Sequence, residues 1–226
     1  MHIPDGLMAP AVAGVGWIIA LILLATTFKV LNKRMDDRQI TLMAVLAAGI
    51  FVAQMLNFPI GGGTTGHLLG AALATIILGP LAGILILTTI LTIQALVFGD
   101  GGLTALGLNI LNMAIIGSLV AWYAYIALRK WNINAAVFAA AFSSVFAAAL
   151  AAAAQLAVSH SLSGGVYGIS GAIAFPAMAA FHLLIGIGEA IITSSVVLYI
   201  ARVSPGMLKL PKLTLATFKK EAIADA

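Results

Sequence analysis

The chain has no cysteine and little charge. Only 8% of its 226 residues are Asp, Glu, Lys or Arg, and 62% are hydrophobic. Soluble domains carry roughly 25% charged residues. The absence of cysteine excludes disulfides, thiolate metal sites and redox dithiols. The shortage of charge excludes an ordinary soluble domain and points to an all-α polytopic protein embedded in the lipid bilayer. No Gly-Lys-Ser/Thr triplet occurs, so the chain does not hold ATP in a phosphate-binding loop. No His-Glu-x-x-His helix occurs either, which argues against an intramembrane metalloenzyme. Residues 1–10 carry Asp5 and no basic residue, unlike a cleavable signal peptide. The net charge of +4 follows from membrane topology, described below, and is no sign of nucleic-acid binding.

What is present starts at Met1-His2. A free α-amine has a reference pKa near ~8 and gives up its proton readily to a metal. The His2 backbone nitrogen lies one residue on, and the His2 imidazole follows. Together these nitrogens can close fused chelate rings of about five and six atoms round one ion. A fourth nitrogen, from His67, completes a planar set of the kind that suits Ni(II) or Cu(II). The bulky His2 keeps Met1 in place as the true terminus. The plainer alternative is a frayed, solvated end. Pro4 biases Ile3 toward extended geometry and stiffens this tip. Asp5 either caps the following helix or orients a nitrogen ligand.

Apolar spans are expected at about residues 8–30 and 40–58. Gly14, Gly16 and Ala20 in the first permit close helix contact. Between the two spans lies a charged break, with Lys29, Lys33, Arg34 and Arg38 against Asp36 and Asp37. The stretch Gly61-Gly62-Gly63-Thr64-Thr65-Gly66 reads either as a flexible loop or as one that delivers His67 beside the terminus. Residues 67–78 predict a short helix, about 18 Å long, ending at Gly79-Pro80. Further spans are expected at 81–98, 103–128, 134–158 and 171–201, with a polar loop at 159–170 that carries His160. That loop histidine is read as solvated or as a metal shuttle. Residues 1–201 thus form one transmembrane domain, and 202–226 a basic tail.

If the chain turns at Gly79-Pro80, about seven transmembrane helices follow. With the N-terminus outside and the C-terminus cytoplasmic, all 11 Lys and Arg then face the cytoplasm. One kinked helix instead would move Arg129, Lys130 and the tail outside, so the positive-inside rule favours the turn. The same assignment puts His2, Asp5, His67, Asp100 and His160 on the outer side.

Several motifs resemble the CbiM/NikM family, the membrane substrate-binding (S) components of energy-coupling-factor transporters for cobalt and nickel. They are Met1-His2-Ile3-Pro4-Asp5-Gly6, Gly66-His67-Leu68-Leu69-Gly70-Ala71-Ala72-Leu73, Leu78-Gly79-Pro80, Gln94-Ala95-Leu96-Val97-Phe98-Gly99-Asp100-Gly101-Gly102, residues 109–117, and His182 through Glu189. The resemblance extends to about Ala201. It implies seven membrane helices, an external N-terminus, and a metal site carried here by Met1, His2 and His67. It also implies a transmembrane scaffold (T) subunit, cytoplasmic ATPase subunits and a small membrane subunit. That last subunit is expected as a separate chain, since no further span follows Ala201. The chain itself is expected to catalyse no covalent chemistry and to reside in the cell (inner or plasma) membrane.

Two readings stay open. In the first, Ala44 and Ala48 form a sliding surface against the scaffold; their alternative role is internal helix packing. In the second, His182 and Glu189 make the chain an independent proton-coupled transporter. They are seven residues apart on one helix face, and they serve equally well as a buried network that locks helices together. The sequence does not separate nickel from cobalt, although amide nitrogen and planar geometry favour nickel.

Overall fold

The structure is a computed structural model that describes residues 1–31, 35–60, 64–208, 212 and 214. The triple glycine at 61–63, Lys33, Arg34 and the basic tail residues Lys209, Lys219 and Lys220 lie outside the described residues. Helix α1 spans Pro10–Leu31, and α2 spans Asp37–Gln54. A small hairpin follows, β1 (Phe58–Ile60) against β2 (Thr64–Gly66). Then come α3 (Ala71–Leu78), α4 (Pro80–Ile93), a π-helical stretch (Gln94–Phe98), α5 (Leu106–Asn109) and a second π-helical stretch (Ile110–Ile116). The chain finishes with α6 (Gly117–Leu128), α7 (Ile133–Leu162), α8 (Gly171–Val203) and the short α9 (Pro205–Leu208).

Among the described residues, five helical segments are long and apolar enough to cross a membrane: Pro10–Leu31, Pro80–Phe98, Leu106–Leu128, Ile133–Leu162 and Gly171–Val203. The chain is a multi-pass membrane protein. Its exposed apolar side chains, among them Ile18, Val45, Leu184 and Tyr199, suit a lipid-facing surface. Buried alanines such as Ala140, Ala141, Ala148 and Ala149 let α7 approach its neighbours closely. In α1, Gly16 lies where a Cβ would collide with Leu108, and Ala20 is fully buried. Gly14 faces open space, so it takes no part in that contact.

The short helix starts later than its sequence suggests. Residues 67–70 are not helical, and α3 has 8 residues, about 12 Å of rise. Gly70, at φ +75°, turns the chain into α3, and Ile50 lies where its Cβ would be. The chain then reverses at Gly79-Pro80. The carbonyl of Ile77 accepts a bond from Lys212 at one end of the bundle, and Asp100 is back beside His2 at the other.

Non-helical backbone inside an apolar bundle needs partners, and residues 69–70 have them. Glu189 on α8 accepts the amide N–H of Leu69, and also that of Gly70 at 2.6 Å. Gln54 on α2 donates to the Leu69 carbonyl at 2.6 Å, and Gln94 donates to Gln54 at 3.0 Å. Of the two readings of Glu189, this arrangement favours the helix-locking network. Its partners are backbone amides, and His182 bonds elsewhere.

The two ends of the bundle differ in charge. Ala9 donates to Ser159 and Gly168 to Leu7, so α1 begins, α7 ends and α8 begins at the His2 end. Lys29, Arg129, Lys130 and Arg202 sit at helix ends away from it, and Arg38 lies beside Ser204 and Met207. His160 is not in a loop: α7 continues to Leu162 and carries it as a half-buried residue of the last turn.

Candidate metal site

The chain's first three residues are buried. Met1 and Ile3 are fully inaccessible, and His2 is 3% exposed. A frayed end is therefore not what the fold contains. Asn109 grips Ile3 at both backbone groups: Ile3 N–H donates to Asn109 Oδ1 at 2.9 Å, and Asn109 Nδ2 donates to the Ile3 carbonyl at 3.1 Å. Gly102 N–H donates to the same carbonyl at 2.9 Å. Glycine is needed at 101 and 102. A Cβ at 102 would strike the Pro4–Asp5 backbone, and one at 101 would lie 3.1 Å from Asn109 Nδ2 and 3.3 Å from His2 Cδ2.

Asp5 caps a different helix from the one expected. Its carboxylate accepts from Leu103 N–H at 3.0 Å, Thr104 N–H at 2.7 Å and Thr104 Oγ1 at 2.5 Å, ahead of α5 rather than α1. These bonds hold its pKa below the usual carboxylate value, with the Thr104 hydroxyl contributing most. Asp5 thus ties the tip to the 99–106 turn and touches no nitrogen ligand.

Hairpin strand β2 brings the second half of the site. The Met1 amine donates to the Thr65 carbonyl, with Thr65 Oγ1 3.4 Å away. His67 is 1% exposed, and its ring stacks on His2 with centroids 4.5 Å apart and 16° between planes. His67 Nδ1 donates to the Leu68 carbonyl at 2.7 Å, which leaves the lone pair on Nε2; that atom is buried and has no partner among the described residues. Met1, His2 and His67 therefore meet at one place.

Burial sets the electrostatics. It drives the pKa of the Met1 amine down from 8.0 to about 4, against the pull of Asp100. The amine is neutral at pH 7 and its nitrogen carries a free lone pair. Burial also lowers His2 below its ordinary value, again opposed by Asp100. His2 Nδ1 lies 3.1 Å from Asp100 Oδ1 but is poorly aligned for a hydrogen bond. Partial burial works against the Asp100 carboxylate, yet His2, Asn57 and the nearby amine outweigh it and hold its pKa below normal. Asn57 Nδ2 donates to Asp100 Oδ2 at 2.7 Å.

The gathered donors are two imidazoles, the terminal amine and a backbone amide. Among the described residues, no three His, Asp or Glu side chains are placed to share an ion. A six-membered chelate ring needs His2 Nδ1, which faces Asp100. Closing the chelate requires that imidazole to turn away from Asp100.

Sequence reasoning had not assigned Asn109, Asp100, Gln94 or Thr65 a place round the terminus. Asn109 and Asp100 lie in motifs that had been noticed, but their contacts arise only from tertiary packing. His182 is fully buried and within electrostatic range of His67 and the Met1 amine, so it belongs near the site rather than with Glu189.

Residues 2–207 match the family described as CbiM, cobalt uptake substrate-specific transmembrane region. The chain belongs to the CbiM family. Within reach of this family are the fused nickel transport protein NikMN of Rhodobacter capsulatus, 37% identical, and the cobalt transport protein CbiM of Acetoanaerobium sticklandii, 32% identical. The first match covers 92% of this chain and 64% of that longer protein; the second covers 85% and 81%. A crystal structure of a truncated transition metal transporter superposes with a TM-score of 0.85 at 38% identity, over 89% of this chain and 99% of that one.

Proposed function

We propose that this chain is the substrate-binding component of an ATP-driven, energy-coupling-factor type transporter that takes up Ni(II) or Co(II). The ion is captured by the Met1 amine, the His2 amide and imidazole, and His67. The observation that carries this reading is the fully buried terminal amine placed beside two stacked imidazoles. Burying a terminal amine costs free energy, and its bond to the Thr65 carbonyl uses an N–H while leaving the nitrogen lone pair for a metal. Its premise is that Met1 stays the first residue. Nitrogen donors that include a deprotonated amide suit nickel best, and cobalt is the alternative substrate.

Seven crossings fit the chain path: α1, α2, the stretch 67–78, α4 with its π-helical end, α5 through α6, α7 and α8. The His2 end faces outside and the basic end faces the cytoplasm of the cell membrane. The broken stretch 67–78 is tolerated because Glu189 and Gln54 satisfy its backbone. ATP hydrolysis belongs to cytoplasmic ATPase subunits acting through a transmembrane scaffold subunit, with a small membrane subunit as a further partner. Ala44 and Ala48 on α2 face outward, which suits a surface that slides on the scaffold better than internal packing.

The test is metal titration of the purified protein with Ni(II) and Co(II). Nickel bound through an amide nitrogen in a plane is diamagnetic and yellow. One equivalent of such nickel, absent from His67→Ala, is the expected result. Paramagnetic, octahedral nickel at equal affinity in both proteins would contradict the site.

A further inference from the structure

We propose that His182 is a second, inner metal ligand, to which the ion passes from His67 on its way through the protein. The proposal rests on the reading of Met1, His2 and His67 as the outer capture site.

His182 repeats the arrangement found at His67. Its Nδ1 lies 2.8 Å from the Met178 carbonyl one helical turn back. A carbonyl only accepts, so Nδ1 carries the proton and Nε2 carries the lone pair. His182 Nε2 is buried and has no hydrogen-bond partner among the described residues. A neutral imidazole with one nitrogen tied to a backbone carbonyl is how proteins present histidine to metals. The hydroxyls of Thr75, Ser118 and Ser194 are also buried and bare. They are hard oxygen donors, and imidazole is the donor that suits a late transition ion.

Position supports a handover. Strand β2 packs on α8, and the chain runs from His67 to Leu69 and Gly70, which Glu189 holds seven residues farther along α8 than His182. His67 and His182 feel each other electrostatically. His182 is not a ligand of the outer set, since the described residues contain no three side chains placed to share one ion. Glu189 is unsuited to receive the ion, because both of its oxygens are occupied by backbone amides. The bare Nε2 of His182 is left as the next nitrogen inward.

Two measurements test this. The first compares nickel retention by purified His182→Phe with nickel uptake by cells that carry this variant and the partner subunits. Phenylalanine keeps an aromatic ring in the same space without the nitrogen. The expected outcome is retention within about twofold of the native protein and uptake reduced at least about tenfold. Native-level uptake overturns the proposal. So does loss of retention by a variant that still unfolds cooperatively, because His182 would then act in the outer site. The second measurement covers a variant that fails to fold. His2→Ala removes the imidazole ring of the outer chelate and leaves His67 as its one imidazole donor, and Cu(II) serves as the paramagnetic probe. Copper held by two imidazole nitrogens supports the inner site, and copper held by a single imidazole, or by none, overturns it. Native protein that binds neither nickel nor cobalt is a separate outcome: it removes the outer site and this proposal with it.

Discussion

Helices α7 and α8 run for 30 and 33 residues, interrupted in sequence only by Pro176. Between Thr64 and Ile116 no regular helix exceeds the 14 residues of α4, and two stretches are π-helical. The first region is scaffold, closed by small side chains. The second holds His67, Gln94, Asp100 and Asn109, all of them round the N-terminal plug. The contrast shows where a membrane protein can place irregular backbone. It does so where side chains such as Glu189, Gln54 and Asn109 supply the hydrogen bonds that lipid does not. π-helical stretches often mark functional sites because they re-aim side chains that an α-helix would point elsewhere.

Four substitutions or conditions sharpen that contrast. The largest effect is expected on the irregular side. His67→Ala removes one of four donors and should lower nickel affinity by about a hundredfold or more, while the melting temperature of the metal-free protein barely changes. Calorimetric titration beside thermal unfolding reads both.

Asn109→Leu leaves the buried Ile3 N–H without an acceptor, a cost of about 1–3 kcal/mol. The plug loosens, and affinity should fall about tenfold to a hundredfold with the fold intact. Accessibility of the Met1 amine to an amine-reactive label should rise in parallel. An unchanged labelling rate would mean that the Gly102, Asp5 and Thr65 contacts hold the tip without Asn109.

Proton competition offers a gentler test. The amine binds a proton below about pH 4 in the folded chain and below 8.0 when unfolded. Above pH 8 the buried terminus carries no penalty; as pH falls from 8 toward 4, the unfolded chain gains a proton that the folded one lacks, and stability declines. Metal binding then displaces one proton, from the His2 amide, rather than two. Affinity should fall about tenfold per pH unit between pH 8 and 7, whereas an unfolded Met-His peptide should lose about a hundredfold.

The smallest effect on affinity is expected from the scaffold. Ala148→Leu overfills a buried α7 position and should cost about 1–3 kcal/mol of stability. Nickel affinity of the folded fraction should stay within about twofold. A large affinity loss there would erase the distinction between the two regions.

Much of this was legible in the sequence. The helical membrane class follows from composition, and the reversal at Gly79-Pro80 was favoured by the placement of basic residues. The pairing of Met1-His2 with His67 followed from donor chemistry. Other features were not readable, for physical reasons. The helix expected from His67 begins at Ala71, because Glu189 and Gln54 offer residues 69–70 partners outside a helix. Asp5 reaches Thr104 instead of its own helix, a choice made by a contact 99 residues away. Spacing alone paired His182 with Glu189; packing gives Glu189 to the backbone and sets His182 near His67.

The most direct test of the central claim compares bound metal in the protein with its native start against a form with two residues added before Met1. The extension keeps every side chain and moves the amine away from the Thr65 carbonyl. Native protein that retains nickel or cobalt beside an empty extended form is the predicted result. Equal metal in both would show that the amine is no ligand and would contradict the account.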